Sequence, residues 1–149
     1  MSSGYENILS PRDLTLPLDL ERLYGRPSEK TALETVAMMR TVTGPEGTAQ
    51  RARIAGYSVA GKTGTGQISQ GKSGYNDTNF TASFAGFFPA SDPQIVIVIG
   101  LYNARDKTVG DRKISYHLGG MSAAPFFAQI GADIARHLRI PPDLPDEIE

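Results

Sequence analysis

Gly56-Tyr57-Ser58-Val59-Ala60-Gly61-Lys62-Thr63-Gly64-Thr65-Gly66-Gln67 is the stretch on which the reading of this chain turns. It sets a cation, hydroxyls and glycines at the end of a short apolar run. Gly56 to Thr63 satisfies the phosphate-loop pattern G-x-x-x-x-G-K-[ST]. That loop works only when a buried strand delivers it and a helix starts at its Lys-[Ser/Thr]. Neither flank complies. Thr48 to Ala55 is too polar for a central parallel strand. Gly64, Gly66, Gly71 and Gly74 fall where the helix belongs, each costing roughly 1 kcal/mol of helix stability. Ile95-Val96-Ile97-Val98-Ile99, the candidate acid-bearing strand, ends in Gly100-Leu101 instead. The phosphate-loop match is a coincidence of spacing.

The other reading makes Ser58 to Thr65 a strand. Under a period of two, Val59, Thr63 and Thr65 alternate with Ala60, Lys62 and Gly64. Lys62 offers a fixed positive charge and the threonines offer hydroxyl donors for an anion such as a terminal carboxylate. Gly64 lets a second backbone come close, as when an extended peptide adds to a strand edge. A solvated lysine on an ordinary strand is the plainer account of the same residues, so the triplet alone decides nothing.

Its surroundings decide. Val59 to Gln67, then Ala82-Ser83-Phe84-Ala85-Gly86-Phe87-Phe88-Pro89, then Pro93 to Asn103, then Gly119-Gly120 and Ala123-Ala124-Pro125-Phe126-Phe127 follow in a set order. Together they resemble the C-terminal part of a class B penicillin-binding protein, a peptidoglycan D,D-transpeptidase, over about 31–134. The Lys62-Thr63-Gly64 triplet is the one such enzymes share with serine β-lactamases.

The rest of the chain fits one domain. Its 149 residues can bury a core, and a net charge of -1 gives no reason to expect nucleic acid or an acidic membrane as a partner. With 0 cysteines there is no disulfide framework, thiol nucleophile or cysteine metal site. No signal peptide is visible at the N-terminus, and the run Ile95 to Ile99 is far too short to span a bilayer. Residues 1–27 match nothing in the family; Leu14, Leu16, Leu18 and Leu20 alternate as in an edge strand around Pro17. Ser28 predicts an N-cap, with Leu33, Val36, Ala37 and Met39 as the buried face of the helix after it; Met38 and Met39 read as core filler. A loop over 46–56 leads to the Lys62-Thr63-Gly64 strand, which is expected at or near the sheet edge.

Phe80 to Phe88 and Gln94 to Tyr102 read as two further strands, the second, with its Ile/Val run, suiting a central position covered on both faces. A long hairpin connection over 67–77 and a short turn over 89–93 make the three an antiparallel meander. Asn103 to Gly120 reads as a polar loop, in which His117 is a surface or internally satisfied histidine with no ligand-spaced partner. Ser122 is expected to cap a closing helix whose apolar face is Phe126, Phe127, Ile130, Ile134 and Leu138. Residues 141–149 read as a disordered tail.

The expected fold is therefore α+β, an antiparallel sheet with packed helices in a partial β-lactamase/transpeptidase-like arrangement, with residues 28–140 as the C-terminal portion of the domain. The resemblance implies serine acyl transfer between peptidoglycan stem peptides ending in D-Ala-D-Ala, inhibition by β-lactams, an extracytoplasmic location and no cofactor or metal. It implies that Lys62 and Thr63 hold the substrate carboxylate and tune charge near the serine. Thr65 adds its hydroxyl and an oxyanion-hole amide, Gly64 gives the peptide room, and Gln67 contacts substrate. Two motifs are out of place. Ser69-Gln70-Gly71-Lys72 matches S-x-x-K but falls in a Gly-rich hairpin, and Tyr5-Glu6-Asn7 mimics S-x-N too near Lys62 in sequence. The chain is therefore expected to need the remainder of a transpeptidase domain, and other cell-wall synthesis proteins, as partners, and to be inactive alone. A degenerate transpeptidase-fold scaffold in cell-wall assembly and a β-lactamase-like hydrolase are the alternatives.

Overall fold

The computed structural model describes residues 25, 27–69 and 75–145. The leucine alternation over 14–20 and Tyr5-Glu6-Asn7 lie outside them. The chain divides into two units, Met1–Leu33 and Glu34–Glu149.

Helix α1, Glu29–Thr41, starts as its sequence dictates. The Thr31 amide donates to Ser28 Oγ at 3.1 Å, with Glu29 in the first turn. Its expected buried face is not buried. Leu33 and Met38 are each 63% exposed, and Val36 and Met39 are only half-covered. An apolar stripe is covered only where another element lies against it. Beyond α1 the chain is not a bare loop. Thr43 is buried, with its hydroxyl 2.9 Å from the Val59 carbonyl, and Gln50–Ala52 forms a 3-10 turn that sends Ala49, Ala52 and Ile54 into the core. Gly56, at φ 80°, then reverses the chain so that the Tyr57 amide reaches the Ile54 carbonyl at 3.0 Å.

Three antiparallel strands follow, β1 (Ala60–Ser69), β2 (Tyr75–Phe88) and β3 (Ile95–Ala104), in the order β1-β2-β3. The meander is as expected, and so is the edge position of the Lys62 strand. β3 is not central. It forms the opposite edge, and its exposure alternates: Val96, Val98 and Tyr102 are 73%, 69% and 78% exposed, whereas Ile95, Ile97 and Ile99 face the core. An all-apolar run fits a strand covered on both faces, but composition does not supply the second cover.

Helix α2, Gly119–Leu138, packs on the face of the sheet that carries Ala82, Phe84 and Phe88. Phe84 and Phe127 meet edge-on at 4.8 Å, and Phe88 stands between Phe127 at 6.2 Å and Tyr57 at 5.7 Å. The helix turns a different side inward from that expected. Only Phe127 of the large apolar set is buried; Phe126, Ile130 and Leu138 are 50%, 41% and 56% exposed. The buried stripe is Gly119, Gly120, Ala123, Ala124, Gly131 and Ala135, small residues that let helix and sheet backbones approach closely. Ser122 is not the cap: the N-cap is Leu118, and Ser122 Oγ instead donates to the Leu118 carbonyl at 3.0 Å.

Two further corrections concern the loops. Within the stretch expected to be irregular, β4 (Lys107–Val109) and β5 (Arg112–Ile114) form a hairpin. Its turn is Gly110-Asp111, with Gly110 at φ 60°. Residues 141–145, expected to begin a disordered tail, are tied down. Asp143 accepts the Ser58 amide at 2.7 Å, the Ser91 hydroxyl at 2.6 Å and the Ser58 hydroxyl, and the Leu144 amide reaches the Gly56 carbonyl at 3.0 Å.

Candidate functional site

β1 carries every residue singled out for the site, and one side of its ladder has no strand beside it among the described residues. Registration with β2 fixes which side chains share a face: Lys62 lies opposite Ala85 and Gly64 opposite Ser83, while Thr63 lies opposite Phe84 and Thr65 opposite Ala82. Cross-strand pairs share a face, so Thr63 and Thr65 stand on the α2 side and Lys62 on the other. A ligand touching all of them has to run along the open edge of β1.

Lys62 is exposed and donates from Nζ to the Thr63 carbonyl at 2.7 Å, which folds the ammonium back along the strand. Thr63 is half-buried, with its Oγ1 3.3 Å from that of Thr48. Thr65 and Gln67 are exposed. At Gly64, a methyl group would lie 2.5 Å from Ser83 Oγ on β2, on the face that Lys62 shares. Ser69 closes β1, and the remainder of its S-x-x-K match lies outside the described residues.

Several supports of this edge are absent from the sequence reading. The opening of α2 is pressed against the strand backbones, since a Cβ on Gly119 would lie 2.0 Å from the Ser83 oxygen and 2.9 Å from the Gly64 oxygen. Gly120 meets the Thr48 carbonyl in the same way. The Gly119-Gly120 pair is the sequence signal for this contact; its partners, Ser83, Gly64 and Thr48, are distant in sequence. At the base, Asp143 joins the entry to β1 with the β2–β3 turn. Burial pushes its carboxyl up, but hydrogen bonds from the Ser58 and Ser91 hydroxyls and the Ser58 amide outweigh that and leave it below the ordinary carboxylate value.

His117 has the partner its sequence spacing hid. Nδ1 pairs with Asp106 Oδ1, while Lys113 Nζ sits 2.9 Å from Asp106 Oδ2. The hydrogen bond from His117, then that from Lys113, hold the Asp106 carboxyl at about 2. The imidazole also stacks on Phe80 at 4.8 Å and 35°, so His117 is an internally satisfied histidine. Among the described residues no group of three or more His, Cys, Asp or Glu could hold a metal ion, and no helix is long and apolar enough to cross a membrane.

Comparison with known proteins gives a consistent set. A family model described as the penicillin binding protein transpeptidase domain matches residues 25–131. The probable peptidoglycan D,D-transpeptidase PbpC of Pseudomonas aeruginosa is 40% identical over 107 residues, which is 72% of this chain and 17% of that protein. The peptidoglycan D,D-transpeptidase FtsI of Escherichia coli is 31% identical over 142 residues, 95% of this chain and 22% of that protein. The chain thus spans 17% and 22% of these two relatives. Among solved structures, the apo transpeptidase domain of Burkholderia pseudomallei penicillin-binding protein 3 superposes with a TM-score of 0.65 at 33% identity, covering 78% of this chain and 32% of that one. Penicillin-binding protein 3 of Mycobacterium tuberculosis, solved with ampicillin, superposes at 0.61 and 33% identity, covering 80% and 27%.

Proposed function

This chain belongs to the penicillin-binding protein transpeptidase family, and on that premise we propose that β1 is the strand on which a peptidoglycan D,D-transpeptidase lays its substrate. The substrate is a stem peptide ending in D-Ala-D-Ala, which adds to the open edge as an extended segment. Lys62 and the hydroxyls of Thr63 and Thr65 take its terminal carboxylate, the Thr65 amide faces the developing oxyanion, and Gln67 contacts the peptide. β-Lactams occupy the same edge. A serine supplied from outside these 149 residues attacks the penultimate D-Ala carbonyl, expels the terminal D-Ala and passes the acyl group to an amine on a neighbouring stem peptide. The reaction takes place outside the cytoplasm, where peptidoglycan is built.

The observation that carries this reading is the combination of an exposed ammonium, Lys62, with the exposed Thr65 on an edge that no strand among the described residues pairs. A strand edge recognises extended peptide through its backbone, and a preorganised cation and donors recognise the carboxylate and the transition state.

The test is intact-mass analysis after incubation with a fluorescent penicillin. The full-length protein should take up one equivalent, and Lys62→Ala should slow that by more than tenfold, on the scale of losing one preorganised donor. The 149-residue chain alone should take up none. A stoichiometric adduct on the chain alone, lost in Ser69→Ala, would move the nucleophile to Ser69. A full-length protein that takes no penicillin would favour the scaffold.

A further inference from the structure

We propose that His117 is a positioning residue for the outer end of the substrate strand, acting as a pin whose head is the Asp106 carboxylate and whose point is the Phe80 ring. The inference rests on β1 being the substrate strand for its functional consequence, but the geometry stands by itself.

The outer end of β1 needs a support that its ladder does not provide. Phe80 is the residue on β2 that faces Gln67, and the β1–β2 register slips between Gln67 and Ser69. On its other side Phe80 faces Ala104, and the β2–β3 register slips between Phe80 and Ala82. Phe80 thus sits where both ladders are irregular. A bulge leaves a residue unpaired and locally disrupts the ladder, so hydrogen bonding holds this end less tightly than the Ala60–Gly61 end.

His117 fills that role from the segment between β3 and α2. Its ring stacks on Phe80, and its Nδ1 pairs with Asp106 at the entry to the β4–β5 hairpin. Lys113 on β5 takes the other Asp106 oxygen at 2.9 Å. Asp106 and His117 side chains are 23% and 24% exposed, so the pair is only partly accessible to water, whereas Lys113 is 69% exposed. Two residues on from His117, Gly119 abuts the Gly64 carbonyl. One segment therefore touches the β1–β2 pair at both Gly64 and the Gln67–Phe80 rung. Movement of the hairpin reaches the rung through this imidazole as well as through Ala104 at the end of β3.

Removing the His117–Asp106 hydrogen bond while keeping the ring isolates this role. His117→Phe preserves a ring on Phe80, and Asp106→Asn removes the carboxylate charge while leaving His117 in place. In the full-length protein, each should speed amide hydrogen exchange at Gln67 and Phe80 by about two- to fivefold, the scale of one net hydrogen bond. Exchange at Ala60 and Gly61 should stay unchanged, and the double variant should add nothing to Asp106→Asn alone. With fluorescent penicillin, both should raise the half-saturating concentration by a similar factor at an unchanged limiting rate of acylation, and Asp106→Glu should restore part of it. Unchanged exchange at Gln67 and Phe80, or a rise spread over the whole sheet, would overturn the proposal. Local exchange changes in a protein that takes no penicillin would leave the pin standing and remove the transpeptidase reading instead.

Discussion

Gly119 and Ser83 are in backbone contact: a methyl group added to Gly119 would lie 2.0 Å from the Ser83 carbonyl oxygen. Because the obstacle is backbone on a central strand, it cannot rotate aside. Gly119→Ala should therefore push α2 off the sheet and cost about 3 kcal/mol, the upper part of the range for overpacking. Gly100→Ala on β3, with nothing within 4 Å of the new methyl, should meet no such clash. Urea midpoints of the two variants check the contrast.

At Gly64 the obstacle is a side chain, which makes the effect reversible. Gly64→Ala meets Ser83 Oγ at 2.5 Å, but Ser83 Cβ only at 3.8 Å. The single variant should lose about 1 kcal/mol. Adding Ser83→Ala should recover most of that, a coupling that a double-mutant cycle in urea measures.

Phe84 is fully buried against Phe127, with its ring in the space left by Gly61 and Gly86. Phe84→Ala should cost about 3–5 kcal/mol through lost burial and the cavity left behind. Val98→Ala on the exposed face of neighbouring β3 should cost far less. Similar losses in the two variants, measured by thermal unfolding, would contradict the one-sided packing of β3.

Asp143 makes stability depend on acid. Its folded-state carboxyl lies below the ordinary value because Ser58 and Ser91 donate to the charged form more strongly than burial opposes it. The contribution is complete above the unfolded-state value of about 3.9 and is lost as pH falls through the depressed folded-state value. Asp143→Asn should be less stable than the parent near neutrality, and the difference should shrink as pH is lowered below about 4. Urea titrations from pH 7 to acid check the sign.

Lys62 should matter to ligands and not to folding. Its side chain is exposed, and its ammonium donates to the neighbouring Thr63 carbonyl. Lys62→Gln should move the unfolding midpoint by no more than about 0.5 kcal/mol. The same substitution should abolish most penicillin labelling of the full-length protein. A variant that lost both would make Lys62 a structural residue.

What could be read from the sequence followed from near neighbours. The alternation around Lys62-Thr63-Gly64, the short turn Pro89 to Pro93 and the capping serine at 28 are properties of adjacent residues, and they predict strand, meander and helix start correctly. The ordered set of segments pointed to the family, which the comparisons bear out. What the tertiary structure alone decided depends on partners distant in sequence. Ile95 to Ile99 contains nothing to say that only one of its faces is covered. α2 has two candidate inward stripes, and the smaller residues won because the backbones of Ser83, Gly64 and Thr48 leave Gly119 and Gly120 no room for a side chain. Asp106 and Asp143 read as ordinary loop carboxylates until folding brings His117 to one and Ser58 and Ser91 to the other. Local preference reads outward from each residue for a few positions. Burial and pairing depend on surfaces that do not exist until the chain has folded.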